Sequence, residues 1–194
     1  MYQILKQILK TGIKSETPPQ GDESLRVLEQ RLQQDILDVF GGALAIRMVD
    51  AGSCNGCELE IHAVNNAYYN LEGMGIKFVA SPRHADLLLV TGPVSRHMEV
   101  ALKRTYDAVP EPKLVVAIGE CACDGGIFCA ADAGENYASC GKVANVIPVD
   151  VAVPGCPPAP TAILQGILTA IGGGHKPGGQ PDMRTESPAG GVAP

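Results

Sequence analysis

The chain has 194 residues, of which 45% are hydrophobic and only 4% aromatic. That length supports one sizeable core rather than two, and its volume must come from Val, Leu, Ile and Ala. A formal charge of −6 provides no extended positive field, so nucleic acid is not an expected partner.

Seven cysteines is a high number for a chain opening with MYQILKQILKTGIKS, which lacks the apolar region and cleavage site of an export signal. An odd count without such a signal points away from a disulfide framework and toward metal or redox chemistry in a reducing compartment. No apolar run approaches the roughly 18 residues that span a bilayer. The domain is therefore expected to face the cytoplasm.

In chain order, Lys6, Lys10 and Lys14 recur four apart beside the pairs Ile4/Leu5 and Ile8/Leu9. This predicts a short basic amphipathic helix suited to a membrane surface or a neighbouring subunit, with a frayed terminus as the plainer alternative. SETPPQGDES reads as a linker. A second helix is expected from Ser24, with Leu25, Leu28, Leu32, Ile36 and Val39 on one stripe and Gly41-Gly42 ending it. Residues 1–42 thus form amphipathic helices and a linker ahead of the main domain.

From residue 43 short apolar runs alternate with helical patterns. Strands are expected at 44–49, 76–80, 86–92, 113–119 and 145–151, and helices at 57–71, 95–108 and 158–172. The unbroken runs at 87–90 and 114–118 suit strands covered on both faces. The pattern predicts an α/β domain over 43–172 with a mostly parallel sheet. Residues 173–194, rich in Gly and Pro, are expected to be a disordered tail.

Four cysteines share one kind of position. Cys54 and Cys57 follow the first strand, Cys121 follows VVAIGE, and Cys156 follows the last strand in VAVPGCPP. In an open parallel sheet the loops leaving the carboxyl ends of the strands gather at one edge, where ligands bind. Four thiolates gathered there are the set a [4Fe–4S] cluster uses. The helix beginning at Cys57 would direct its positive end toward them and lower their pKa. Gly52, Gly56, Gly119, Gly125, Gly126 and Gly155 would let backbone wrap closely around a bulky group. Pro157-Pro158 would stiffen the loop behind Cys156.

Two other chemistries compete. A C-x-x-C pair alone also fits a thioredoxin-type dithiol, which needs neither Cys121 nor Cys156. Structural zinc uses two close-spaced ligand pairs, and the second pair is missing. Cys123, Cys129 and Cys140 default to core packing, although Cys123 competes with Cys121 for the third position.

CNGCELEI, GIKFVASPRHADLLLVTGPVS, VVAIGECACDGGIF and IPVDVAVPGCPPAPTAILQGI resemble the 20-kDa iron–sulfur subunit family shared by respiratory complex I and membrane-bound [NiFe] hydrogenases. The resemblance spans about residues 44–172. It implies a flavodoxin-like domain, helices on both faces, with one [4Fe–4S] cluster at the carboxyl ends of the strands. Its ligands would be Cys54, Cys57, Cys121 and Cys156, the family's motif selecting Cys121 over Cys123. CNGC is the hydrogenase form of the opening motif, whereas complex I members usually carry adjacent cysteines there.

The resemblance therefore implies an electron-transfer small subunit of a formate hydrogenlyase-type, energy-converting [NiFe] hydrogenase, with no catalysis by the isolated chain. Its expected partners are the [NiFe] large subunit, a ferredoxin-like iron–sulfur subunit and integral membrane subunits, at the cytoplasmic face of the membrane. The alternatives are the cluster subunit of a complex I-like NADH/quinone oxidoreductase and a zinc-stabilised binding module without a redox role. Glu60 corresponds to an acidic residue near the cluster and is a candidate proton relay, or else a capping glutamate. Arg83 is a candidate hydrogen-bond donor toward the cluster. His84 and Asp86 fit surface or structural roles, and His62 fits a packing role.

Overall fold

The computed structural model describes residues 42–128 and 136–173, with single helical positions at residues 3, 6, 10 and between 26 and 36. The expected linker, the tail and Cys129 lie outside the described residues. Of the expected second helix, Ile36 is helical and almost wholly buried in the domain core.

Five strands form one all-parallel sheet: β1 (Leu44–Asp50), β2 (Ile76–Phe78), β3 (Leu87–Thr91), β4 (Leu114–Ile118) and β5 (Val151–Val153). Their order is β2-β1-β3-β4-β5, the flavodoxin-like arrangement, which reverses direction between β1 and β3. Every residue of β3 is buried, because it lies central in the sheet between β1 and β4.

The helices are α1 (Gly56–Val64), α2 (Arg96–Ala108), the short α3 (Glu120–Cys123) and α4 (Pro160–Gly173). Strand side chains alternate between two cores, as the pleat requires. Leu44, Ile46, Leu87, Leu89, Val116 and Ile118 face one core with Ile61 of α1 and Ile163 and Ile167 of α4. Val49, Leu88, Val90, Val115 and Ala117 face the other with Leu102 of α2. Burying each large aliphatic side chain contributes about 1.5–3 kcal/mol.

Two boundaries differ most from the expectation. The helix expected over 57–71 ends at Val64. Beyond it Asn66 folds back, its Oδ1 accepting from the amides of Tyr68 at 2.8 Å and Tyr69 at 3.1 Å. Such side-chain bonding competes with helical hydrogen bonds. The last strand lies at Val151–Val153 rather than 145–151. Pro148 lacks an amide donor, residues Val143–Asn145 form a 3-10 turn, and pairing starts at Val116 opposite Val151.

Candidate metal centre

The carboxyl edge of the sheet is assembled from short-range bonds. Asp50, ending β1, accepts at Oδ1 from the amides of Gly52 and Ser53, both at 2.8 Å. This turns the chain into the Cys54–Cys57 loop. Asn55 takes a left-handed φ of 72° and Gly56 opens α1. At the ends of β4 and β5, the Gly119 amide donates to Val153 at 2.8 Å and the Glu120 amide to Gly155 at 2.9 Å. Those two bonds bring the Cys121 and Cys156 loops side by side.

The four thiols predicted as ligands line one cavity of about 100 Å³, together with Gly92 and Gly155. Cys54 and Cys156 are exposed, whereas Cys57 and Cys121 are half-buried. One side of the cavity therefore reaches the surface of the chain. Glycines make the room. A Cβ on Gly119, at φ +89°, would stand 2.6 Å from the Cys57 Sγ, and one on Gly126, at φ +51°, 3.1 Å from the Cys121 Sγ. Gly92, at φ +75°, lets the Ser53 backbone pass where a Cβ would stand 2.5 Å from its nitrogen.

Electrostatically the thiols oppose one another. Burial, followed by the Glu58 carboxylate and the other three cysteines, pushes the Cys57 thiol up to about 12. Burial, then Cys156 and Cys54, also raises Cys121. The expected lowering by the start of α1 is thus overturned at Cys57, where desolvation and like charge outweigh the helix end. Four thiolates crowded this way call for a positive centre. Among the described residues, no group of three His, Cys, Asp or Glu is arranged to hold a single metal ion. Four thiols lining one cavity are a donor set that fits a sulfur-ligated metal group.

Cys123 does not line this cavity. Its Sγ lies 3.7 Å from the Ala117 carbonyl, and it packs against the α2-side core. Cys140 donates from Sγ to Glu99 Oε2 at 3.4 Å. Neither Glu60 nor Arg83 lines the cavity. Glu60 is half-buried on α1. Arg83 is exposed in a 3-10 turn at Pro82–His84, between β2 and the amino end of β3. His84 is exposed there too, while Asp86 has a structural role, accepting at Oδ2 from the Ala45 amide at 2.9 Å. His62 is exposed rather than packed.

The acidic residue lining the cavity is Glu120, and the buried carboxylate that raises Cys57 is Glu58, 4% exposed. Its Oε1 accepts from the Thr91 hydroxyl, and Oε2 is buried without a partner among the described residues. Sequence reading passed over it for Glu60. The signal was present, since Glu58 leads the stripe formed with Ile61 and Val64, three residues apart.

Together these features define an all-parallel α/β protein carrying four thiols at the carboxyl edge of its sheet. The family model described as "NADH ubiquinone oxidoreductase, 20 Kd subunit" matches residues 54–170, and the chain belongs to that family. It is 44% identical to a probable membrane-bound hydrogenase subunit of Pyrococcus furiosus, covering 74% of this chain and 83% of that protein. It is 40% identical to formate hydrogenlyase subunit 7 of Escherichia coli over 80% of this chain and 57% of that protein. Against an NADH-quinone oxidoreductase subunit of Desulfovibrio desulfuricans the identity is 46%, covering 58% of each. Among solved structures it resembles a chain of the membrane-bound sulfane sulfur reductase, an archaeal respiratory membrane complex. The TM-score is 0.58 at 32% identity, covering 74% of this chain and 77% of that one. No helix among the described residues is long and apolar enough to cross a membrane.

Proposed function

We propose that this chain is the electron-transfer subunit of a membrane-bound [NiFe] hydrogenase, with one [4Fe–4S] cluster held by Cys54, Cys57, Cys121 and Cys156. The observation that carries the reading is the single cavity lined by these four thiols from three separate strand ends, with glycines where a Cβ would block the sulfurs. When bound, such a cluster accepts and passes on single electrons between neighbouring redox centres. The chain's own residues bind and orient it. Cys57 and Cys121 hold the inner side, and Gly119 and Gly126 let backbone close around the sulfurs. Cys54 and Cys156 stand at the exposed side, where a large subunit would seal the site from water.

Two features favour a hydrogenase over a quinone reductase. One is the CNGC form of the opening motif. The other is the reach of the similarity, 144 and 155 residues to the two hydrogenase-type relatives against 112 to the quinone-reductase relative. The second reading, a quinone-reducing complex, draws on the 46% identity within those 112 residues. A ferredoxin-like donor and integral membrane subunits complete the proposed assembly, with this chain peripheral on the cytoplasmic side. Glu60, proposed as a proton relay or capping glutamate, and Arg83, proposed as a hydrogen-bond donor toward the cluster, do not themselves line the cavity.

The test is metal and sulfide analysis of the complex purified without oxygen. Four irons with acid-labile sulfide are expected for this chain's site, with nickel in the partner. Cys156→Ala should remove this chain's cluster signal, while Cys140→Ala should retain it. Zinc alone at the four cysteines would sink the cluster reading. Iron without nickel would favour the quinone reading.

A further inference from the structure

A second cavity lies beside β1, outside the thiol site. β2 is short and pairs only with Leu44–Ile46, its run closed by the Val79 amide donating to the Ile46 carbonyl at 2.9 Å. β1 continues to Asp50. There Arg47–Asp50 pair with Leu88–Thr91 of β3, and no strand among the described residues pairs with their other side. The notch so formed encloses about 330 Å³ between this part of β1, α1 and the segment leaving β2.

The notch has an apolar wall and a charged base. Met48, Ile61 and Phe78 line it, with Phe78 37% exposed, together with the exposed His62 of α1 and Asn65, which caps that helix. Arg47 also lines it. The Arg47 Nε is buried without a hydrogen-bond partner, and Arg47 enters no ion pair among the described residues. A guanidinium carries donors only, so what completes it must accept hydrogen bonds. A carboxylate does so in matched, bidentate geometry. A strand bonded on one side only is a template for an added extended segment, whose backbone supplies affinity while its side chains fill flanking pockets.

We propose that this notch receives an extended, acid-bearing segment of a partner subunit, its backbone along the open edge of β1 and its carboxylate on Arg47. The inference rests on the reading of this chain as one subunit of a larger complex, but not on the identity of the metal group. The exposed Phe78 ring would then pack under an apolar residue of the incoming segment. α1 forms a wall of both the notch and the thiol cavity, so a segment seated here would also fix the helix that carries Cys57.

The test uses the assembled complex, purified through a tag on this chain. Arg47→Glu and Arg47→Met should each lower partner recovery about tenfold or more, the cost of unpairing or opposing a desolvated charge at an interface. Iron per chain is measured alongside, so failure of the cluster reading is distinguished from failure of docking. Because Arg47 lies within the sheet, a photo-crosslinking residue replacing Phe78 in the otherwise unchanged complex provides an independent arm. Crosslinking to an Asp- or Glu-bearing peptide of a partner supports the proposal. Crosslinking to residues 1–41 or 174–194 of this chain or to lipid, or native partner recovery with Arg47→Met, overturns it.

Discussion

The two glutamates that follow Cys57 illustrate how much a single position along a helix decides. Glu58 and Glu60 are two residues apart, about 200° around α1. Glu58 falls on the buried stripe, where the Thr91 hydroxyl donates to it, while Glu60 stays half-exposed. Removing Glu58 leaves the wholly buried Thr91 hydroxyl only the long contact to the Val49 carbonyl at 3.4 Å, and empties the space of a side chain 4% exposed. Glu58→Ala should therefore destabilise the domain by about 1–3 kcal/mol, through a weakened buried hydrogen bond and the cavity left behind. Glu60→Ala should stay within about 0.5 kcal/mol, as surface substitutions do. Paired urea melts on otherwise identical chains check this, and equal losses would remove the distinction. The 58/61/64 spacing carries the signal for Glu58, whereas Glu60 was indicated by the family resemblance alone. Arg47 was less accessible to sequence reading, because its orphaned Nε depends on β2 ending after three residues.

The secondary structure was readable where apolar runs were long and flanked by clear signals. Ser95 illustrates this at α2: its hydroxyl accepts from the Met98 amide at 3.3 Å, and the helix begins within a residue of the expected position. The thiol site was readable for the same reason, since Cys54, Cys121 and Cys156 each follow a run whose carboxyl end the topology gathers. Sequence reading failed where side chains redirect the backbone. Asn66 shortened α1, and the segment around Pro148 delayed β5. Asp150 then anchors β5 to β4 by accepting at Oδ2 from the Val115 amide at 2.7 Å, a pairing invisible in sequence. The seating of α4 makes a sharper test. Gly166 lies against Val153, and a Cβ there would collide with Cγ2 of that stiff, β-branched side chain, whereas Gly172 has open space around it. Gly166→Ala should cost about 1–3 kcal/mol through overpacking. Gly172→Ala should be neutral or stabilise by about 0.5–1 kcal/mol through helix propensity. Thermal denaturation of the two variants decides it, and the same sign for both would contradict the described contact with β5.

For the whole molecule, the thiol site and the sheet have different sources of stability. The centre of the sheet is held by apolar burial: β3 is wholly buried and β4 nearly so. The carboxyl edge is held by a few turn bonds and presents four thiols, two of which, Cys57 and Cys121, are raised by burial and by their like-charged neighbours. A group that binds those thiols in the folded chain but not in the unfolded one adds its binding free energy to folding. Its loss should therefore loosen the edge first. Hydrogen exchange on the complex, with the metal group present and after anaerobic chelation, should show amides 52–57 and 119–126 and those of Gly155 and Cys156 exchanging at least about tenfold faster once it is removed. That change corresponds to roughly 1.4 kcal/mol of lost local protection. Amides of Leu87–Thr91 should slow or hasten far less, because their protection comes from the two cores rather than from the thiols. Equal acceleration throughout would mean that the group stabilises the whole domain as one unit. Unchanged exchange in the three loops would mean that the four cysteines do not hold it.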